Sequence, residues 1–436
     1  MYKQYIKQAW QLMKQNRFFS TVYVIGTGLA ISMVMVMAVV YHIRTANIAP
    51  EVHRDRMCYL SSLSYVQGNM SRNSHSYGLR TIKECILPMT TPELIAIKVG
   101  PMFLRYIVGD SYLQIPGGDV SPKVSLMATN DSFWQIYRFR FLVGKPYDGA
   151  DVSSSLSRAV VNEKTARKLF GKTDVINETV LLNGVEYSVC GVVADVSAIT
   201  QDVYADVWIP YSSIPGLSEV SSVEQRSSLG PFTVCVLLHS PRDMERFLEE
   251  WRQQIKQYNT TLADGKLEGE EPLMYTRNML HLLFMQDWKK TSFILFFVLL
   301  LFLLVPALNL SGLNMSHMHD RIPELGVRRA FGACKGVLLM QLLTENLLLM
   351  LPGGIAGLLF SYLLVWLLRN LLLGSFITMM SGGAMDMSLS LSMLVNMQVF
   401  GYAFLICLVL NLLSSIVPAM RALRIHITDA LANTTN

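Results

Sequence analysis

The sequence predicts a membrane protein with four transmembrane helices and a large α+β extracytoplasmic domain inserted between the first and second helix. Of the 436 residues, 51% are hydrophobic and 16% are charged, which is too apolar for an ordinary soluble enzyme and too polar for a chain confined to the bilayer. Four apolar runs are long enough to span it, because about 20 helical residues cross roughly 30 Å of hydrocarbon. These runs are residues 21–41, 291–311, 337–368 and 399–417.

The first apolar run is interpreted as a retained helix and not as a cleaved signal peptide. Its uncharged stretch exceeds the roughly 7 to 15 residues of a signal h-region, and no A-x-A motif follows closely.

Flanking charges predict the orientation, because Lys and Arg are held on the cytoplasmic side during insertion. Cations flank the helices as Lys3, Lys7, Lys14 and Arg17, then Arg321, Arg328, Arg329 and Lys335, and finally Arg421 and Arg424. The segment 370–398 contains Asp386 and no Lys or Arg. We therefore expect both termini in the cytoplasm. The net charge of +5 then reflects topology and implies no nucleic-acid partner.

The remaining boundaries follow from these helices. We expect an amphipathic helix on the inner leaflet at 1–20, where apolar residues recur at helical spacing. The outside segment 42–290 is large enough for two subdomains. The chain is completed by a cytoplasmic segment at 312–336, an outside loop at 369–398 and a cytoplasmic tail at 418–436.

Local signals in the outside domain predict strands mixed with helices. Asn162 is a helix N-cap and Gly171 is the left-handed residue that ends the same helix. Asn183-Gly184 separates two apolar runs and predicts a type I′ hairpin. Ser240, followed by proline, opens a further helix with one apolar face.

Cysteines in the outside domain leave two states open. They are Cys58, Cys85, Cys190 and Cys235. An oxidising compartment allows disulfides by any of three connectivities, and reduced thiols packed as small hydrophobes are the alternative. No C-x-x-C motif or His/Cys pair with zinc spacing occurs, so we expect no metal site.

Small residues predict close helix packing in the first and third apolar runs. Gly26 and Gly28 lie in the first run, and Gly353, Gly354 and Gly357 lie in the third. Small side chains allow helix backbones to approach closely in lipid.

One carboxylate, Glu345, lies within the third run. An ionisable group inside the membrane is a functional candidate, and a hydrogen bond to a neighbouring helix is the alternative. An intramembrane enzyme is disfavoured, because no second catalytic residue accompanies Glu345. We therefore predict no catalytic residue in this chain.

Three separated blocks carry a resemblance to a known family. RIPELGVRRAFGA at 321–333, with 341–357 after it, is similar to a conserved pattern of the MacB/FtsX/LolCE-type ABC-transporter permeases. The block 159–195, with a helix ending LFG and a strand ending GVVAD, resembles the end of their extracytoplasmic domain. VPAMRALRIHITDAL at 417–431 resembles their C-terminal block, with Ile427-Thr428 in place of the usual proline.

The resemblance implies a permease of the bacterial inner membrane with its large domain in the periplasm. The cytoplasmic segment 312–336 becomes the coupling segment, which contacts an ABC ATPase. Its implied contact residues are Arg321, Glu324, Leu325, Gly326, Arg328, Arg329, Phe331 and Gly332. No G-x-x-x-x-G-K-[ST] phosphate-binding motif occurs in the 436 residues, so we expect ATP-Mg to bind and be hydrolysed in a separate ATPase subunit and no cofactor in this chain.

Relatives of this type work as dimers, so a second permease copy or homologue is an expected partner. The favoured function is mechanotransmission that drives efflux or extrusion of a substrate. An FtsX-like regulator of a cell-wall hydrolase and a LolCE-like lipoprotein-extracting permease remain alternatives. A periplasmic adaptor and an outer-membrane channel are further partners that the resemblance leaves open.

Overall fold

The computed structural model describes residues 17–60, 62–68, 70–74, 76–200, 202–217, 228–262, 265–284, 325–368 and 397–424, with residues 290, 293, 294, 296, 297 and 300 between them. Two compact units divide the chain. The helical unit is Met1–Ile43, Asp287–Gly374 and Leu389–Asn436, and the α+β unit is Arg44–Gln286 and Ser375–Ser388.

The longest described helices belong to the helical unit. They are α1 (Arg17–Thr45), α2 (Leu79–Thr81, continued by a π-helical turn Ile82–Ile86), α3 (Pro101–Val108), α4 (Ser132–Ile136), α5 (Gly149–Ser153), α6 (Glu163–Phe170), α7 (Met244–Thr261), α8 (Tyr275–Phe284), α9 (Lys335–Leu367) and α10 (Met397–Arg424), with 3-10 turns at Tyr211–Ser213 and Pro241–Asp243. A further short helix covers 325–330.

The described strands all belong to the α+β unit. They are β1 (Met57–Tyr59), β2 (Leu63–Gln67), β3 (Met70–Ser74), β4 (Pro92–Val99), β5 (Ser111–Gln114), β6 (Lys123–Val124), β7 (Leu126–Thr129), β8 (Phe141–Gly144), β9 (Arg158–Asn162), β10 (Thr179–Leu182), β11 (Val185–Val193), β12 (Val207–Pro210), β13 (Thr233–Leu238), β14 (Lys266–Gly269) and β15 (Leu273–Met274).

Most of these strands form one mixed sheet. In the described residues it has twelve strands, in the order β15-β1-β13-β4-β7-β12-β9-β11-β10-β5-β6, with β8 also pairing with β11. The pairs β9–β11 and β7–β12 are parallel, and the remaining pairs are antiparallel. Strands β14, β2 and β3 form a separate three-stranded sheet.

The large sheet is covered on both faces, because successive strand residues point to opposite sides. Along β9, Ala159 and Val161 lie in one apolar cluster and Val160 lies in the other. Helix α7 buries its apolar face in the first cluster. Aromatic side chains of α4 fill the second, where the Trp134 and Trp208 ring centroids lie 6.0 Å apart.

The local signals of the α+β unit are confirmed. The Asn162 side chain accepts a hydrogen bond from the Thr165 backbone N–H, and Gly171 ends α6 at φ 71°. Strands β10 and β11 pair antiparallel across Asn183 (φ 50°) and Gly184 (φ 84°). The Ser240 side chain caps the 3-10 turn that leads into α7.

All six cysteines of the chain are free thiols. Strand alternation places Cys58 and Cys235 of the neighbouring strands β1 and β13 in clusters on opposite faces of the sheet. Burial raises the pKa of the Cys85 thiol to about 12, so this thiol is protonated and unreactive at neutral pH.

The helical unit contains long helices where three apolar runs are predicted. Among the described residues, Val24–Thr45 and Met350–Leu367 are long and apolar enough to cross a membrane, and Lys335–Thr344 and Gln398–Leu410 are shorter apolar helices. Helix α9 passes through Pro352 without a break. Most of the predicted span 291–311 falls outside the described residues, as do the predicted helix 1–20 up to Asn16 and most of the loop 369–398.

Candidate coupling site

The short helix 325–330, called the coupling helix below, ends in a backbone-defined turn. The Ala333 N–H donates to the Arg328 carbonyl, and the Gly332 N–H donates to the Arg329 carbonyl. Gly332 has φ 90°. These two bonds and the left-handed glycine form a Schellman motif, which fixes the direction in which the chain leaves the coupling helix.

Helix α9 begins three residues after this glycine, at Lys335. Cys334 has extended backbone at the N-cap position, and its carbonyl accepts from the Val337 and Leu338 N–H groups. The coupling helix and α9 are therefore joined by the short linker 331–334, called the elbow below, in which few backbone torsions are free.

An apolar cluster, called the apolar seat below, packs the coupling helix against α9 and α10. Leu325 forms a buried cluster with Leu338 and Leu342 of α9 and Ala419 of α10. Gly326 is also buried. Since each cluster member is a small or aliphatic side chain, the contact is stabilised by removal of apolar surface from water.

A polar contact lies beside the apolar seat. Arg328 Nη1 donates to Gln341 Oε1 of α9 at 2.7 Å. Gln341 is only 6% exposed. This contact ties the coupling helix to α9 one helical turn beyond the point where Leu325 is buried.

Two apolar side chains near the elbow are exposed to solvent. Phe331 is 89% exposed, and Val327 of the coupling helix is 43% exposed. Arg329 is half-buried. The predicted contact residues Arg321 and Glu324 lie outside the described residues.

Glycines bring α1 and α9 into backbone contact. A Cβ on Gly28 would lie 3.2 Å from the Gly353 carbonyl oxygen, and a Cβ on Gly357 would lie 2.6 Å from the Gly28 carbonyl oxygen. Gly354 faces α10, where a Cβ would lie 2.6 Å from Phe404 Cε2. Gly26 is half-buried in α1. Glu345 lies within α9, and its side chain is outside the described set.

Sequence reasoning missed a buried ionic cluster in the α+β unit, just after α1. Arg54 Nε lies 2.7 Å from Glu51 Oε2, and the Tyr275 hydroxyl donates to the same oxygen at 2.9 Å. Arg54 also donates to the Ala46 carbonyl. Burial raises the pKa of Glu51, and the Arg54 cation opposes that rise.

A signal for half of this cluster is present in the sequence. Glu51 and Arg54 stand three residues apart, and Glu51 comes ten residues after the end of the first apolar run. At this spacing the two side chains can meet on one helical turn. Tyr275 lies 224 residues further along, and no local pattern connects it to them. The described residues hold no group of three or more His, Cys, Asp or Glu side chains placed to bind a metal ion.

Two family profiles match the chain in sequence order. The MacB-like periplasmic core domain matches residues 20–254, more than half of the 436 residues. The FtsX-like permease C-terminal domain matches residues 296–427.

Curated relatives include the pyoverdine export ATP-binding/permease protein PvdT of Pseudomonas savastanoi pv. phaseolicola, which is 24% identical over 81% of this chain and 50% of its own length. The macrolide export ATP-binding/permease protein MacB of Photorhabdus laumondii is 27% identical over 64% of this chain and 41% of its own. The chain spans about half the length of the curated relatives it matches.

Solved structures similar to this chain include isolated extracytoplasmic domains. The extracellular domain of the ABC-type transporter YknZ from Gram-positive bacteria has a TM-score of 0.36 at 13% identity, covering 49% of this chain and 100% of its own. The periplasmic region of MacB from Actinobacillus actinomycetemcomitans has a TM-score of 0.33 at 16% identity, covering 48% and 88%.

The resemblance that the three sequence blocks predicted is confirmed by the two profile matches. The chain belongs to the family of permeases built from a MacB-like periplasmic core domain and an FtsX-like permease domain.

Proposed function

We propose that this chain is the permease subunit of an ABC exporter, which converts ATP hydrolysis in a separate subunit into conformational work outside the membrane. One observation carries the proposal. The coupling helix is fixed to α9 and α10 through Leu325, yet it presents Phe331 at 89% exposure. An anchored helix with an exposed aromatic ring suits a partner that pushes on it, because the force passes into the helices behind it.

The partner is an ATPase that binds ATP-Mg. The 436 residues contain no G-x-x-x-x-G-K-[ST] motif, so this sequence lacks the backbone cradle that holds nucleotide phosphates. The relatives' names combine ATP-binding and permease functions, which supports an ATPase acting with this permease.

The proposed topology has four membrane helices, with both termini in the cytoplasm of a bacterial cell and the α+β unit in the periplasm. The positive-inside charge pattern supports it. The working unit is a dimer of this chain with itself or with a homologue. The names of the relatives, which refer to export of pyoverdine and of macrolides, support export as the kind of work performed.

The proposal is tested by purifying the tagged full-length chain from its own cells in mild detergent and photolabelling the complex with 8-azido-ATP and Mg²⁺. A labelled polypeptide distinct from this chain is expected. Phe331→Ala should weaken the association about 30-fold or more and so lower the yield of the labelled polypeptide, since a buried aromatic anchor at an interface contributes about 2 kcal/mol or more.

Leu359→Ala is the matched control, because Leu359 is 65% exposed on α9 and distant in sequence from the elbow. Its yield of labelled polypeptide should equal that of the parent chain. Label on the permease chain itself, no labelled polypeptide, or equal yields from Phe331→Ala and Leu359→Ala would each contradict the proposal.

A further inference from the structure

The residues of the predicted coupling segment fall into two groups: some contact α9, and others are exposed to solvent. Leu325 and Arg328 make contacts with α9. Val327 and Phe331 are exposed. Arg328, which the sequence suggests as a charge that meets the ATPase, donates a hydrogen bond inside this chain.

Gln341 is the partner in that bond, and its position is unusual for a polar residue. It lies on α9 between Leu338 and Leu342, both members of the apolar seat, and is 6% exposed. A buried amide is costly unless it is hydrogen-bonded. The bond from Arg328 Nη1 to Gln341 Oε1 at 2.7 Å meets that requirement with a charged donor, which makes a stronger bond than a neutral one.

The apolar seat and the elbow do not by themselves fix the angle of the coupling helix. Apolar contacts are non-directional, so the contacts of Leu325 with Leu338 and Leu342 hold the coupling helix in place without specifying one orientation. The elbow still contains the torsions of Ala333 and Cys334. A directional hydrogen bond from the next turn of the coupling helix removes this remaining freedom.

We propose that Gln341 is a positioning residue, which accepts a hydrogen bond from Arg328 and thereby locks the coupling helix at one angle to α9. Arg328 then serves to hold the coupling helix against α9, and the exposed side with Val327 and Phe331 is the side that meets a partner. The consequence for coupling rests on the proposed function, whereas the lock itself is a property of this chain alone.

The lock is tested by electron–electron distance measurements on the full-length chain in lipid nanodiscs. Spin labels are placed at Val327→Cys and Leu359→Cys, in a background with Cys334→Ser, because Cys334 is the exposed cysteine of this chain. The parent protein should give one narrow distance distribution.

Gln341→Leu should lower the ratio of locked to unlocked coupling helix by about tenfold or more, as expected for the loss of a hydrogen bond to a charged group, and so broaden the distribution. Gln341→Glu retains an acceptor for Arg328 and should keep it narrow. Met340→Ala, at the exposed neighbouring residue, is the matched control and should also keep it narrow.

A distribution in Gln341→Leu as narrow as that of the parent overturns the inference. Equal broadening in Gln341→Leu and Gln341→Glu also overturns it, because that result reports a general loss of packing. The ATP photolabelling described above decides the proposed function separately. An altered distance in Gln341→Leu without any labelled ATPase leaves the lock established and the proposed function wrong.

Discussion

Gly28 of α1 and Gly357 of α9 bring two helix backbones into direct contact. The Gly28 carbonyl oxygen lies 2.6 Å from the position that a Cβ on residue 357 would occupy. The Cβ of Ile31 in α1 lies 3.0 Å from the same position. In a lipid environment such contacts stabilise helix pairs by close packing, because burial of apolar surface contributes little.

Gly357→Ala should therefore destabilise the helical unit by about 1–3 kcal/mol, since the added methyl group meets backbone that cannot rotate away. The measurement is thermal unfolding of the full-length chain in detergent. Gly401→Ala is the control, because a Cβ there would meet no atom within 4 Å. A melting temperature of Gly357→Ala equal to that of Gly401→Ala would show that the two helices do not pack in this way.

Glu51→Ala should lower the free energy of unfolding by about 3–5 kcal/mol, because it leaves the Arg54 cation buried without its carboxylate. The Arg54 and Glu51 side chains are 1% and 0% exposed. Glu93→Ala is the matched control, since Glu93 also pairs with an arginine but is 35% exposed, and an exposed pair contributes at most about 1 kcal/mol. Intrinsic tryptophan fluorescence during urea unfolding measures the stability of both variants. Equal unfolding midpoints for Glu51→Ala and Glu93→Ala would contradict the buried ion pair.

Local signals predicted much of the α+β unit, and the reason is that caps and tight turns are decided within a few residues. Asn162, Gly171 and the Asn183-Gly184 pair each satisfy backbone geometry that their own neighbours impose.

Contacts between distant segments could not be predicted in the same way. Strand β13 pairs with both β1 and β4, which no local pattern specifies. Tyr275 joins Glu51 across 224 residues. The hydrogen bond between Arg328 and Gln341 could not be predicted for the same reason, because the charge is visible in the sequence but the buried Gln341 that faces it is known only once α9 is placed.

Glu250 should give the α+β unit a stability that is lost in acid. Burial alone would raise the pKa of Glu250, but hydrogen bonds from Thr90 and Thr91 outweigh burial and lower the pKa below its ordinary 4.5. A depressed folded-state pKa stabilises the fold above the unfolded value, and this contribution disappears as pH falls through the folded value. Glu250→Gln should therefore be less stable than the parent at pH 7, by no more than about 1 kcal/mol because water screens this partly exposed group.

The difference between parent and Glu250→Gln is followed by urea unfolding from pH 7 to pH 3. It should shrink as pH falls below about 4.5, where the unfolded chain binds a proton that the folded chain binds less readily. A difference that stays constant across this range would contradict the lowered pKa. Lys172→Gln, at an exposed surface pair, serves as the control, and its effect should be small at every pH.

Gly171 should be replaceable by asparagine at lower cost than by alanine. It ends α6 at φ 71°, and a Cβ there would meet no atom within 4 Å, so any cost comes from backbone conformation and not from a clash. A left-handed residue with a Cβ costs about 1–2 kcal/mol, and asparagine adopts this conformation more readily than alanine does. Gly171→Ala should lower the free energy of unfolding by about that amount, and Gly171→Asn should lower it by less. Urea unfolding of the two variants decides the question, and equal losses would mean that the left-handed turn after α6 does not persist in solution.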